Sequence, residues 1–277
     1  MYVNKKEKRD VTKKLLVIVI SAMLIFLIGI LTVCYFFIYS SSENHITEKE
    51  EKKNIKEEAI PIVDAYGGNY LHTTGQKVRQ KDWGTFTLQQ ISPINKTFKI
   101  STMVIQLKEI KMIKLSQMNE EKKAELKEFT GLSFAETYAL YYKDNLSIEE
   151  IYEKEALTKS DIGKEITYIE ISYTVENTSS NELQFFSMEN VSFNKYLHYN
   201  VPEKNFIYSG DTLIGTKSVS RIDNKSNEAR EGLIGLLLDP DKNIDKLTSF
   251  SFTTSDILDG DSHELLTKAK TFTISLN

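Results

Sequence analysis

The first apolar stretch of the chain is unbroken. From Leu15 to Ile38 it reads LLVIVISAMLIFLIGILTVCYFFI, 24 residues without a charge or a proline. At about 1.5 Å per residue a helix of that length spans about 36 Å, against a hydrocarbon core about 30 Å thick. The pattern predicts a transmembrane helix, because a single helix satisfies its own backbone in lipid. Tyr35, Phe36, Phe37 and Tyr39 place aromatics at the level of an interface. Residues 39–60 then turn polar; Ser41–Ile60 holds six Glu and four Lys and reads as a solvated stalk.

Beyond the stalk the period changes to two. Pro61–Asp82 shows no period and reads as an irregular lead-in. Trp83–Gln90 alternates, Ser92-Pro93 reads as a turn, and Phe98–Leu107 alternates again. At Glu109-Ile110 the apolar phase slips by one residue, which predicts a bulge or a hairpin turn. Tyr168–Glu176 alternates most cleanly. Ile169, Ile171, Tyr173 and Val175 share one face; Glu170, Ser172, Thr174 and Glu176 share the other, as in a half-buried antiparallel strand. Further strands are predicted at Leu183–Met188, Asn190–Leu197, Leu213–Val219, Leu233–Leu238, Leu247–Thr253 and Thr271–Leu276. Eight or nine short strands make a two-sheet β-sandwich the expected architecture.

Residues 116–163 interrupt this pattern and read as a helical insert. Asn119–Phe129 closes on Thr130-Gly131, a helix stop. Ser133 with Glu136, and Ser147 with Glu150, have the spacing of capping boxes. Phe134, Tyr138, Tyr141 and Tyr142 fall on one helical face, expected to pack on the neighbouring sheet, with a binding surface as the alternative.

Charge sets the orientation. Residues 1–14 carry six Lys or Arg and two acids, 6 − 2 = +4, while the whole chain is −4. Positive flanks stay on the cytoplasmic side, so the body, residues 61–277, is expected outside the cell membrane. Its acidic balance argues against nucleic acid as a partner.

Cys34 is the single cysteine, so the body has neither a disulfide nor a thiol nucleophile. This points to a Gram-positive cell surface. Leu31-Thr32-Val33-Cys34 is similar to a lipobox, which makes Cys34 a candidate for lipidation. That pattern takes a small residue before the cysteine, and Val33 departs from it. As a plain alternative Cys34 is a small apolar residue within the helix. A cleaved signal peptide is the other alternative for this segment, with small residues at Ser40–Ser42, although its apolar core is normally about 7–15 residues long.

Catalytic patterns are weak. His45, His72, His198 and His263 lack the spacing of a zinc helix, and His198 reads as a strand-end surface residue. Gly210–Ser218 approaches a phosphate-binding loop, but Thr216 stands where the lysine should follow the second glycine. Asp239, Asp241, Asn243 and Asp245 space oxygen ligands as in a calcium loop, without its central glycine or closing glutamate. Asp259, Asp261 and Glu264 add carboxylates nearby.

The run YIEISYTVENTSSNELQFFSMENVSF, the later Asp239-Pro240 and the closing Phe272-x-Ile274-x-Leu276 resemble small exported Gram-positive proteins. Those proteins hold an immunoglobulin-like domain behind a lipobox or a single membrane anchor. The resemblance covers Trp83–Leu115 and Thr167–Leu276; the insert departs from it. It implies a fold and a location and no active residue. Expected, then, is a single-pass surface protein, not an enzyme and without a cofactor. The bilayer would hold residues 15–38, and the ectodomain would bind a protein or an envelope component. An accessory subunit of an envelope secretion, transport or signalling complex is the alternative, and a wall-polymer hydrolase a third.

Overall fold

The structure, a computed structural model, describes residues 59–207, 222–239 and 244–276. The predicted membrane helix, Cys34, nearly all of the stalk and the strand predicted at Leu213–Val219 lie outside these residues. What is described is mainly β, with several sheets and a few helices.

In chain order the strands are β1 (Ile62–Val63), β2 (Lys77–Gln80), β3 (Gly84–Ile100), β4 (Met103–Ser116), β5 (Glu165–Asn177), β6 (Leu183–Phe185), β7 (Asn190–Phe193) and β8 (Leu197–Asn200). They continue as β9 (Ile222–Asn224), β10 (Ala229–Leu237), β11 (Ser249–Thr253), β12 (Ile257–Asp259), β13 (Leu265–Thr267) and β14 (Thr271–Ser275). Helices α1 (Glu120–Lys127), α2 (Phe134–Tyr141) and α3 (Ile148–Thr158) fall between β4 and β5; α4 (Val201–Lys204) follows β8. A six-stranded sheet runs in the order β1-β2-β3-β4-β5-β10. Two four-stranded sheets, β14-β11-β7-β8 and β13-β12-β6-β9, contribute to the same core as one face of it.

That core follows from the two-residue period. Ile105, Leu107, Ile169, Ile171, Tyr173 and Ile234 point inward from the large sheet and meet Phe185, Val191, Phe193, Phe250 and Phe252 from the smaller ones. All are at most 3% exposed, as a sandwich interior requires. The phase slip in β4 is a bulge: the register with β5 shifts between Leu107 and Glu109, so Lys108 is the extra residue. The bulge lets Ile110 and Met112 stay on the face of Ile105 and Leu107.

Lys111, Ile113 and Leu115 therefore point the other way. There a second core forms, in which Ile113, Leu115, Ile166 and Tyr168 meet Leu71 of the lead-in, Leu126 of α1 and Phe206. This end of the large sheet is covered on both faces, and Glu170, expected on a solvent face, is 2% exposed.

Three local expectations are corrected. Ser92-Pro93 does not turn the chain; both residues lie within the 17 residues of β3. The turn comes at Ser101-Thr102, inside the strand expected at Phe98–Leu107, with Ser101 at φ 52°. The strand expected at Asn190–Leu197 is a hairpin, with Asn194 and Lys195 at positive φ between β7 and β8.

The helical insert forms from local signals. Both capping boxes close: Glu136 and Glu150 accept from the amides of Ser133 and Ser147, each at 2.7 Å. The serine hydroxyls accept in return from the amides three residues on, each at 3.2 Å. Ser147→Ala should lower stability by about 1 kcal/mol, read as a shift of the urea midpoint. An unchanged midpoint would show that the box contributes nothing to the fold.

Candidate interaction surface and the polar clusters beside it

Helices α2 and α3 form a hairpin, turned through Asn145 in the left-handed conformation. Each helix buries little: among their side chains only Thr137 on α2 and Ile151 on α3 are buried. The inward face of α2 is short and polar, because Thr137 gives its hydroxyl to Ser133 O at 2.8 Å. The large apolar side chains consequently lie outside. Tyr138, Leu140, Tyr142, Ile148, Tyr152 and Leu157 are 52–81% exposed. The aromatic face expected to be core is therefore surface at Tyr138 and Tyr142, and half-buried at Phe134 and Tyr141. Phe134 packs on Tyr152 with centroids 4.7 Å apart and on Tyr138 at 6.3 Å. Exposed apolar side chains grouped on one element mark an interaction surface more often than scattered ones do.

Beside this face is a recess of about 430 Å³ lined by Phe134, Tyr152, Glu128, Glu155, Glu203 and Lys159. Lys159 Nζ pairs with Glu155 Oε1 at 2.9 Å and donates to Glu128 O at 2.9 Å. Glu203 Oε2 accepts from Ala135 N at 3.2 Å. The recess is thus lined by three glutamates and one lysine, of which Glu155 pairs with Lys159.

A second cleft, about 280 Å³, lies where the insert meets the β-body and is bordered by Glu136, His198, Tyr199, Lys204 and Asp239. His198 is exposed in β8, as expected of a strand-end surface residue. Lys204 is 5% exposed and donates to Gly131 O at 2.6 Å and Thr130 O at 3.2 Å, which ties the link between α1 and α2 to α4. Burial, helped by the nearby Lys159, lowers its pKa from 10.5 to about 8, against the pull of Glu136 and Asp239. The folded protein thus gives up this proton near pH 8 while the unfolded chain keeps it to about 10.4. Unfolded chain then binds more protons, so this group makes stability rise with pH. From about pH 8 to 9.5 the gain should be about 1–2 kcal/mol in urea titrations. Lys204→Met should flatten that rise; an equally steep rise in the variant would assign it elsewhere.

A third cluster is buried except at its edge, where Glu109 is partly exposed. Lys111 Nζ lies 2.9 Å from Glu109 Oε1 and 3.3 Å from Glu170 Oε1, and donates to Gly68 O at 3.1 Å. Tyr66 donates to Glu170 Oε2 at 2.6 Å and shares a 2.5 Å hydrogen bond with Tyr168. Burial pushes the Glu170 carboxyl above its ordinary range, and Lys111 pulls it back. Burial also raises both tyrosines, with Glu170 adding to the shift. A Cβ on Gly68 would sit 2.3 Å from Glu170 Oε2, so glycine is what lets the lead-in lie this close. Lys111, Glu170, Tyr66 and Tyr168 are joined under the lead-in, and the arrangement fastens residues 66–70 to the sheet.

The calcium-loop candidates divide. Asp239 borders the Lys204 cleft and Asp245 lies just before β11, while Asp241 and Asn243 lie outside the described residues. Among the described residues no three His, Cys, Asp or Glu converge as metal ligands would. Asp259 Oδ1 accepts from Ser262 N at 2.8 Å, Ser262 Oγ at 3.0 Å and Asp261 N at 3.1 Å, which uses it in a turn. Gly210–Ser218 also lies outside the described residues, and among those described no helix is long and apolar enough to cross a membrane. Neither the Lys111–Glu170 cluster nor the contacts of Lys204 leave a local pattern, because both are assembled from segments far apart in the chain.

No family model matches the chain, and no curated protein matches it. A functionally unknown protein from Listeria monocytogenes EGD-e is similar in structure over 69% of this chain and 87% of its own, at 12% identity and a TM-score of 0.34. A conserved hypothetical protein from Bacillus anthracis is similar over 65% of this chain and 96% of its own, at 9% identity and a TM-score of 0.27.

Proposed function

We propose that this is a single-pass surface protein whose extracytoplasmic β-body is a non-catalytic binding module, with the α2–α3 hairpin as its contact surface. One observation carries the reading: six large apolar side chains of that hairpin are exposed, on helices whose N-terminal capping boxes are both closed. A sequence that closes both caps yet leaves six bulky apolar residues outside has a helix shaped for another molecule. The unbroken run Leu15–Ile38 and its basic flank support the anchor and its orientation. We read the body as an immunoglobulin-like sandwich, which the shared core of the large and small sheets supports. The consecutive neighbours β2-β3-β4-β5 form a meander, where this body departs from a Greek-key order.

Full-length tagged protein, recovered from intact cells after surface cross-linking, should bring down a partner. Tyr138→Ser/Ile148→Ser/Tyr152→Ser should lose it while folding normally. Recovery of nothing beyond background, or protection of the body from protease added to whole cells, would contradict the reading.

A further inference from the structure

The charge around the exposed hairpin narrows what can cover it. Residues 134–158 hold six carboxylates, Glu136, Asp144, Glu149, Glu150, Glu153 and Glu155, against Lys143 and Lys154. Their sum, 2 − 6 = −4, equals the net charge of the whole chain. Glu149 and Glu153 are exposed beside Ile148 and Tyr152. Two occupants are thereby disfavoured. A second copy would set one acidic hairpin against another, and an anionic lipid surface would repel it.

We infer, resting on the binding-module reading above, that the hairpin docks a basic protein segment that also carries apolar side chains. The apolar residues of that segment cover Tyr138, Tyr142 and Ile148. One of its lysines or arginines enters the recess beside Phe134 and Tyr152. There the paired rings offer a cation–π surface, and the lining carries Glu128, Glu155 and Glu203 against one lysine, Lys159, which pairs with Glu155. The hairpin already shows this chemistry within itself: Lys154 Nζ lies 5.6 Å from the centroid of Tyr141, and Lys143 Nζ 5.6 Å from that of Tyr142. Complementary charge of this kind steers encounter and rejects partners of the wrong sign.

The test uses the full-length chain in phosphatidylcholine nanodiscs, with empty discs as blank. The probes are a labelled helical peptide of leucine and lysine and its leucine–glutamate counterpart. Expected is binding of the lysine peptide alone, weakened by added salt. Glu149→Gln/Glu153→Gln should weaken it about tenfold, and Tyr138→Ser/Tyr152→Ser should do the same. Glu176→Gln/Asp223→Asn removes equal charge from exposed sites on other elements and should leave binding unchanged. The inference is overturned if the glutamate peptide binds as well, if the hairpin variants change nothing, or if the control pair weakens binding equally. Hairpin-dependent self-association in sedimentation would overturn it in favour of a second copy, and hairpin-dependent flotation with phosphatidylglycerol vesicles in favour of a membrane. A partner retrieved from cells that is lost with Tyr138→Ser/Ile148→Ser/Tyr152→Ser but kept with Glu149→Gln/Glu153→Gln would sink this inference and leave the binding-module reading standing; no partner at all would sink that reading.

Discussion

Replacing Lys111 by Met is expected to lower stability by about 3–5 kcal/mol at pH 8. Lys111 is 3% exposed, and its ammonium is the cation beside Glu170, itself 2% exposed. Methionine fills the space of the stem but leaves the Glu170 carboxylate buried without its counter-charge. Breaking a buried pair from one side costs more than removing both members. Lys111→Met/Glu170→Met should therefore recover much of the loss. The deficit of the single variant should also depend on pH. Burial already raises the Glu170 carboxyl above its ordinary range, and loss of Lys111 raises it further. A carboxyl raised in the folded state favours folding below its unfolded pKa and loses that contribution as pH climbs through the folded value. The deficit should thus shrink as pH falls from about 8 towards 5. Urea titrations at both ends of that range measure it. A deficit equal at both, or a double variant no better than the single, would show that the pair is not what holds the lead-in.

Phe250→Ala should cost about 3–5 kcal/mol with an unchanged denaturant slope. Phe250 is fully buried on β11, directly across from Phe193 on one side and Ile274 on the other. Its ring stacks on that of Phe193 at 5.0 Å and lies 5.7 Å from that of Phe252. These rings face the large sheet, so truncation leaves a cavity between layers. Tyr152→Ala removes a ring of similar size that is 57% exposed, and should cost under about 0.5 kcal/mol. The contrast separates residues that make the fold from residues presented on it. A Tyr152 cost comparable to that of Phe250 would place the hairpin aromatics in the core after all.

The features that sequence disclosed are those set by near neighbours. The slip at Glu109-Ile110 is a bulge because two successive alternations in one strand must share a core face. The capping boxes are legible because donor and acceptor lie three residues apart. Pro93 misled because proline normally ends a strand. It is tolerated in β3 where pairing with β2 has already stopped, at Thr87, so that edge needs no donor at Pro93. The Ser101-Thr102 turn lacks the glycine, proline or asparagine that would announce it.

The candidate surface was half legible. The period of Phe134, Tyr138 and Tyr141 gathers these residues on one helix, with Tyr142 just past its end. Periodicity names a face and says nothing of whether anything covers it. The converse holds for Glu170 and Lys111, which alternate as polar residues on an outward face should. They are buried because the lead-in, some 40 residues earlier than Lys111 and 100 earlier than Glu170, folds back over them. Such a cover leaves no trace in the local pattern of either strand.

Photo-cross-linking on intact cells, with a diazirine residue placed at Tyr152 in one strain and at Glu176 in another, reads out what touches the hairpin. The account predicts a discrete adduct with a basic protein at Tyr152 and none at Glu176. No adduct at Tyr152, or the same adducts at both positions, would contradict it.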